Sequence, residues 1–131
     1  MSGGNDSFTK ILLHMDGSDA GTTFTDSNFG GSAHTWTAGG NAQTDTGIVK
    51  FGTAAGLFDG TGDFVSTPDH ADFTIGASEF TADFWFNRAG GDGGRRIAFG
   101  QSDATGAAAQ NSIFMELLAT NVWALRVCAS S

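Results

Sequence analysis

The segment Phe80–Phe86 repeats its apolar side chains at every second position, and this alternation constrains the fold more than any other feature of the sequence. Successive side chains of an extended strand point to opposite faces, so Phe80, Ala82, Phe84 and Phe86 share one face. A helix would scatter the same four side chains around its axis. The segment therefore predicts a β-strand whose aromatic face is turned towards a core.

Short apolar runs separated by turn residues fill most of the remaining chain. They occupy Phe8–Met15, His34–Thr37, Leu57–Asp59, Phe64–Ser66, Arg96–Gly100, Ser112–Leu118 and Val122–Cys128. No long helical period is evident, and Pro68 opens a predicted surface turn of short helical character over Pro68–Phe73. Many short strands predict an all-β sandwich or barrel. With 131 residues, we expect one domain over residues 8–131 after a flexible segment 1–7.

Two predicted hairpins follow from the turn residues. The runs Leu57–Asp59 and Phe64–Ser66 flank the glycine-bearing loop 60–62, which predicts a tight hairpin between them. The last two runs are joined by residues 119–121 and form the predicted final strand pair. Residues 90–94 and 104–110 are predicted loops. Alternation places one set of apolar side chains on a common face in each strand of the final pair: Ile113, Met115 and Leu117 in the first, and Trp123, Leu125 and Val127 in the second.

Charge and cysteine content exclude several classes of function. The formal net charge is −8, from 14 acidic and 6 basic residues, so the surface repels nucleic-acid phosphates and anionic lipid. Neither nucleic acid nor membrane is an expected partner, and no apolar run approaches transmembrane length. The single cysteine, Cys128, permits no intrachain disulfide, and no Sec signal peptide is visible at the start of the chain.

Several segments, taken in order and spacing, resemble a known superfamily. They are Leu12–Gly17, Thr22–Asp26, Gly40–Gln43, Lys50–Gly52, Leu57–Val65 and Phe80–Phe86. The likeness is to the concanavalin A-like lectin/glucanase superfamily in its laminin-G-like form, which is common in phage and bacterial surface proteins. This resemblance implies an antiparallel jelly-roll β-sandwich of two packed sheets. It also implies functions that range from binding glycans, proteins or calcium to building adhesive surfaces.

The resemblance fades after Phe86, and the chain stops at Ser131, whereas the superfamily continues with further strands. We therefore expect a sandwich shortened at its C-terminus, which would leave strand edges and apolar faces exposed. A compact variant of the fold and a truncated relative are both open alternatives. We favour coverage of the open edge by a neighbouring copy or by another assembly partner.

The acidic loop Asp59–Asp63 is the strongest candidate for a metal site. Its two carboxylates, Asp59 and Asp63, could face one point across a glycine turn, and calcium takes several such oxygen ligands. Asp16, at the end of the first predicted strand, could join them. In the alternative interpretation, these side chains cap the amides of their own turn. No cofactor is required by either interpretation, and calcium is the one ion that the loop predicts.

Enzyme activity is not expected. A glycosidase needs two carboxylates across a sugar, and the chain has only two glutamates, Glu79 and Glu116. The three histidines, at positions 14, 34 and 70, are scattered in sequence and predict no zinc site. Trp36, which lies among Thr and Gly, is the candidate for sugar binding, whereas the other two tryptophans are expected in the core.

These observations predict a non-enzymatic virion structural or surface protein, such as a capsid-decoration or tail-fibre module. Its expected partners are copies of itself, other virion proteins and host-surface glycans, and its expected location is the virion surface. The alternative is a calcium-dependent carbohydrate-binding module, which would lose glycan binding when calcium is removed.

Overall fold

The computed structural model describes residues 4–74, 79–88, 94, 96–101, 112–120 and 122–128. These residues confirm the all-β class: they form seven strands, all paired antiparallel, one single-turn 3-10 helix and no α-helix. The chain divides into two compact units, Met1–Trp85 and Phe86–Ser131, which are described separately. The prediction of one domain over residues 8–131 after a flexible segment 1–7 stays a prediction.

The described residues of the first unit form four three-residue strands in two antiparallel pairs. The strands are β1 (Thr37–Gly39), β2 (Gln43–Asp45), β3 (Ala55–Leu57) and β4 (Phe64–Ser66). β1 pairs with β4 and β2 with β3, with Thr37 opposite Ser66 and Gln43 opposite Leu57. The predicted hairpin between Leu57–Asp59 and Phe64–Ser66 is therefore wrong, because each of these runs finds its partner in an earlier strand. Gly60 and Gly62 do turn the chain tightly, at φ of 89° and 78°.

The core of the first unit is small. Phe24, Ala42 and Ala54 are its buried apolar residues, and Thr44 has no exposed surface. Thr44 is tolerated there because its hydroxyl donates to the carbonyl of Ser18 at 2.7 Å, so no polar atom of the side chain loses its partner. The pair formed by β1 and β4 is covered less completely, since Phe64 on β4 is 54% exposed.

Two predicted strands of the first unit do not form ladders. The run Phe8–Met15 contributes one isolated bridge, between Leu13 and Asp26. Residues 79–88 belong to no strand, and their aromatic side chains are exposed, with Phe80 at 47% and Phe84 at 42%. The prediction of a strand with a core-facing aromatic side is wrong here. Alternation specifies which face could be buried, but a strand also needs a neighbour whose backbone groups match its own.

The second unit contains one antiparallel sheet in the order β5-β6-β7. Its strands are β5 (Arg96–Gln101), β6 (Ser112–Leu117) and β7 (Trp123–Cys128). This confirms the predicted final strand pair and the strand before it. Met115 lies opposite Leu125, and Leu117 lies opposite Trp123, so the predicted apolar faces of β6 and β7 are one continuous surface. The predicted loops at 90–93 and 104–110 lie outside the described residues.

Candidate functional site

Two histidines and two aspartates of the first unit meet beside the single 3-10 helix. This helix, Ala71–Phe73, carries Asp72, and His70 caps its start by accepting the backbone N–H of Asp72 at 3.1 Å. On the other side, Asp26 and His34 come from the segment around the isolated bridge between Thr25 and Thr35. We call His34, His70 and Asp72 the histidine cluster, with Asp26 as its buried support.

Asp26 fixes the position of His34. The Asp26 side chain has no exposed surface, and its Oδ2 lies 2.7 Å from Nδ1 of His34. Oδ1 accepts the backbone N–H groups of Leu12 at 2.9 Å and Asn28 at 3.1 Å. Burial alone would raise the pKa of Asp26, but these hydrogen bonds together outweigh it and hold the pKa below its ordinary value. An ionised carboxylate only accepts hydrogen bonds, so Nδ1 of His34 carries the hydrogen.

The opposite nitrogen of His34 points at Asp72. Nε2 of His34 lies 3.5 Å from Oδ2 of Asp72, is buried, and has no hydrogen-bond partner of acceptable geometry among the described residues. The His34 side chain is only 4% exposed. When the His34 ring is neutral, Nε2 presents a lone pair to a carboxylate oxygen, and either a proton or a metal cation between the two atoms makes this contact favourable.

Asp72 is the residue of the cluster that contacts both histidines. Its Oδ2 accepts the backbone N–H of Ser32 at 3.0 Å and lies 3.2 Å from Nδ1 of His70. Lys10 places its Nζ 3.8 Å from the other carboxylate oxygen. The Ser32 hydrogen bond is the largest cause of a lowered Asp72 pKa, with smaller contributions from the charges of His70, Lys10 and His34 against a desolvation that raises it. Asp72 is therefore a carboxylate at neutral pH.

An open groove of about 250 Å³ runs beside the histidine cluster. His34 and His70 line it, together with Ser32, Thr35, Thr67 and Asp69. The His34 and His70 rings meet edge to face with centroids 5.1 Å apart, and Phe73 packs 4.6 Å from the His34 ring. The cluster thus combines a buried, supported side with a side that small molecules and water can reach.

Sequence reasoning missed this cluster because the histidines are far apart along the chain. The only local signal is the His70-x-Asp72 spacing, which is common and carries no information about a third ligand. His34 reaches the pair through long-range contacts, such as the hydrogen bond from Ser32 to Asp72, which joins residues 40 positions apart. The third histidine, His14, is exposed and belongs to no group of three metal-binding side chains among the described residues.

The predicted calcium ligands Asp59 and Asp63 are occupied by amides of the first unit. Asp63 accepts the backbone N–H of Asn41 at 2.8 Å and that of Asp59 at 2.6 Å. Asp59 accepts the Asn41 side-chain amide at 3.1 Å and the N–H of Thr61 at 2.7 Å, and these two bonds are the largest causes of its lowered pKa. The bonds are those of the capping interpretation, and the calcium role of the loop stays a prediction.

Asp16, the third predicted calcium ligand, accepts hydrogen bonds from Thr53. Its Oδ1 accepts the backbone N–H of Thr53 at 2.6 Å and the Thr53 hydroxyl at 3.1 Å, across 37 positions of sequence. The Thr53 backbone hydrogen bond is the largest cause of a lowered Asp16 pKa. Among the described residues, Asp16 is not brought together with Asp59 and Asp63 into a group of three metal-binding side chains.

Replacing Asp63 by Ala is expected to lower the free energy of unfolding by about 1 kcal/mol, because two backbone amides lose their acceptor. The loss stays modest because the loop is near water, which can solvate both amides. Urea denaturation followed by circular dichroism measures the change. Asp69→Ala, which removes a carboxylate of equal charge from an exposed position, should change the midpoint little. Equal midpoints for the two variants would contradict the capping role.

The tryptophans do not follow the predicted pattern of exposure. Trp36, the candidate for sugar binding, is half-buried, and its indole N–H is buried without a hydrogen-bond partner among the described residues. Trp85, which was expected in the core, is 72% exposed. Its ring contacts Phe51 edge to face at 5.5 Å, and Nζ of Lys50 lies 4.5 Å from the ring centre. The role of Trp36 in carbohydrate binding stays a prediction.

The sheet of the second unit carries an exposed apolar row. On β7, Trp123 is 43% exposed, Leu125 60% and Val127 64%, and the three side chains share one face. Trp123 also contacts Phe86 edge to face at 5.4 Å. On the opposite face, Glu116 is fully buried and accepts a hydrogen bond from Nε of Arg126. We call Trp123, Leu125 and Val127 the β7 apolar row.

Comparison with known proteins adds no relative: no family model, curated protein or solved structure matches the chain. The resemblance to the concanavalin A-like superfamily therefore stays a prediction. Among the described residues, no helix has the length and apolar character needed to cross a membrane.

Proposed function

We propose that the chain is a non-enzymatic contact module of a virion surface, such as a capsid-decoration or tail-fibre module. In this proposal its strands form a jelly-roll sandwich, and the exposed β7 apolar row is covered by a second copy of the chain. The observation that carries the proposal is the β7 apolar row, which is exposed along the full length of an edge strand.

An exposed apolar edge strand is unfavourable for a protein that stays monomeric in water. Edge strands of such proteins are usually short, charged or covered, because unpaired backbone groups and apolar side chains recruit other chains. Burying Leu125 and Val127 from their present exposures would stabilise an interface by about 1 kcal/mol or more per side chain. The row thus supplies a direct physical reason for association.

A second copy is the occupant that best fits this face. The side chains that share it on β6 and β7 are uncharged, and Arg96, which shares the face, lies on β5, beyond β6 from the row. Two copies can therefore pack along β7 without bringing like charges into contact. Elsewhere, the net charge of −8 opposes association of identical chains. A homo-oligomer built on the β7 apolar row therefore places uncharged side chains in the contact.

We expect the purified protein to elute as a homo-oligomer and Leu125→Glu to convert it to a monomer, because a carboxylate cannot be buried against the second copy without a partner. Size-exclusion chromatography with light scattering measures the mass, and circular dichroism checks that the strands remain. Ile97→Lys is the control for adding a charge: Ile97 is 51% exposed but pairs with Glu116, on the opposite face of the sheet, where an ammonium group does not repel that carboxylate. A folded wild-type monomer, or an unchanged Leu125→Glu oligomer, would refute the proposal.

A calcium-dependent carbohydrate-binding module is the second candidate. The observation in its favour is the exposed Trp85 ring, which with Phe51 presents an aromatic surface of the kind that sugars stack on. It requires glycan binding that is lost with a calcium chelator and weakened by Trp85→Ala. Lys50 lies over the same ring and would have to move aside.

A further inference from the structure

We propose that His34, His70 and Asp72 bind a divalent transition-metal ion of the zinc class. One potential ligand atom from each residue lies within 4.8 Å of the other two. Two imidazole nitrogens and one carboxylate oxygen form a donor set that suits zinc and its neighbours, whereas calcium prefers six or more oxygens. The site is independent of the acidic loop Asp59–Asp63 and of the proposed contact face.

Two of the three distances between ligand atoms of the cluster match those around a tetrahedral ion. Metal–ligand bonds of about 2.0–2.2 Å place neighbouring ligand atoms about 3.3 Å apart. Oδ2 of Asp72 lies 3.5 Å from Nε2 of His34 and 3.2 Å from Nδ1 of His70. Little movement of these atoms is needed for an ion to bridge them.

Asp26 gives His34 the support that metal-binding histidines usually have. Its buried carboxylate accepts from Nδ1 at 2.7 Å, which fixes the ring orientation and leaves Nε2 as the free lone pair. That Nε2 atom is buried, has no hydrogen-bond partner among the described residues, and is aimed at Asp72. A metal cation between Nε2 of the neutral ring and the carboxylate would satisfy both groups.

The exposed side of the cluster gives a metal ion a route in from solvent, and it lets the His70 ring change its hydrogen bond when the ion binds. His70 is 42% exposed and can release the backbone N–H of Asp72 from its Nδ1 when the ion binds. Ser32 keeps donating to Asp72 and holds the carboxylate in place. The groove lined by His34 and His70 gives water or a small ligand a route to the two histidines.

Zinc titration of the metal-free full chain, by calorimetry and by competition with a chromophoric chelator, tests the site. We expect one zinc ion per chain, no comparable calcium binding, and affinity at least about 10-fold weaker in His70→Ala and in Asp72→Asn. His14→Ala, which removes the histidine outside the cluster, is the matched control and should bind as the wild type does. Circular dichroism of each variant verifies the fold.

The tetrahedral geometry has its own readout, because cobalt(II) bound in place of zinc gives intense visible absorption only when four-coordinate. We expect that absorption in the wild type and in His14→Ala, and its loss in His70→Ala. Absence of stoichiometric zinc binding to the wild type, or equal affinities for wild type and a folded His70→Ala, would overturn the proposal. Oligomer mass is measured separately, so failure here leaves the proposed contact function standing.

Discussion

Asp26→Ala is expected to lower the free energy of unfolding by about 4 kcal/mol, a large loss for a single substitution. The carboxylate is fully buried and accepts from Leu12, Asn28 and both the backbone and the ring of His34. Alanine leaves these donors in the interior with nothing to accept them. Each unsatisfied donor costs about 1–3 kcal/mol, and local rearrangement recovers part of the sum.

Urea denaturation, monitored by tryptophan fluorescence and circular dichroism, measures this loss. Asp19→Ala is the matched control, since exposed Asp19 makes only long bonds to Thr46, at 3.3 and 3.5 Å. We expect Asp19→Ala to change stability by less than about 0.5 kcal/mol. Asp26→Asn should fall between the two, because one amide oxygen replaces two acceptors and the amide NH₂ opposes the ring N–H of His34. Similar midpoints for Asp26→Ala and Asp19→Ala would contradict the supporting role.

We expect the first unit to lose stability in acid, because the buried Asp26 carboxylate then becomes protonated. The pKa of Asp26 is lowered in the folded state, so its carboxylate contributes stability that is complete above its ordinary unfolded pKa of about 3.9. That contribution disappears as the pH falls from about 4 through the lower folded-state value. The pKa values of Asp16, Asp59 and Asp72 are lowered too. Their ionised carboxylates therefore also stabilise the folded state, and this contribution is also lost in acid. Stability measured from pH 6 to pH 2 should decline below about pH 4, and less steeply in Asp26→Ala.

Local patterns predicted the elements whose partners lie nearby in the chain. β6 and β7 are joined by a short turn, in which Leu118 donates to the carbonyl of Val122 at 2.9 Å, and their period-two faces fix the register. The turn over Pro68–Phe73 is helical over its last three residues, as its composition predicts. In these cases the sequence signal and the partner lie within a few residues of each other.

Pairing over longer distances could not be predicted from one sequence. Both Leu57 and Phe64 lie in runs with strand character, but the pattern does not say that β3 pairs with β2 and β4 with β1. The histidine cluster could not be predicted for the same reason, because the proximity of His34 to His70 depends on how segments far apart in the chain pack together. Alternation in Phe80–Phe86 indicates a common face but does not say which strand would pair with it, and there the prediction of a strand is wrong.

The second large effect is expected in the other unit, at the pair formed by Glu116 and Arg126. Glu116 has no exposed surface, whereas the Arg126 side chain is 59% exposed. Burying a carboxylate is tolerated only while a cation or hydrogen-bond donors neutralise it, so Arg126→Leu should lower the free energy of unfolding by about 3 kcal/mol. Glu116→Leu should cost less, because it leaves the half-exposed guanidinium to be hydrated and places an apolar side chain in an apolar setting.

The asymmetry between these two variants separates a buried charge from an ordinary surface ion pair. An exposed pair would cost about 0.2–1 kcal/mol whichever partner was removed. The double variant Glu116→Leu/Arg126→Leu should recover most of the loss seen in Arg126→Leu, since no charge remains to be compensated. Urea denaturation of all four proteins at one fixed concentration, which keeps any oligomer contribution constant, completes the double-mutant cycle. If Arg126→Leu is no less stable than Glu116→Leu, the buried carboxylate does not depend on Arg126, and the other donors around Glu116 carry its charge.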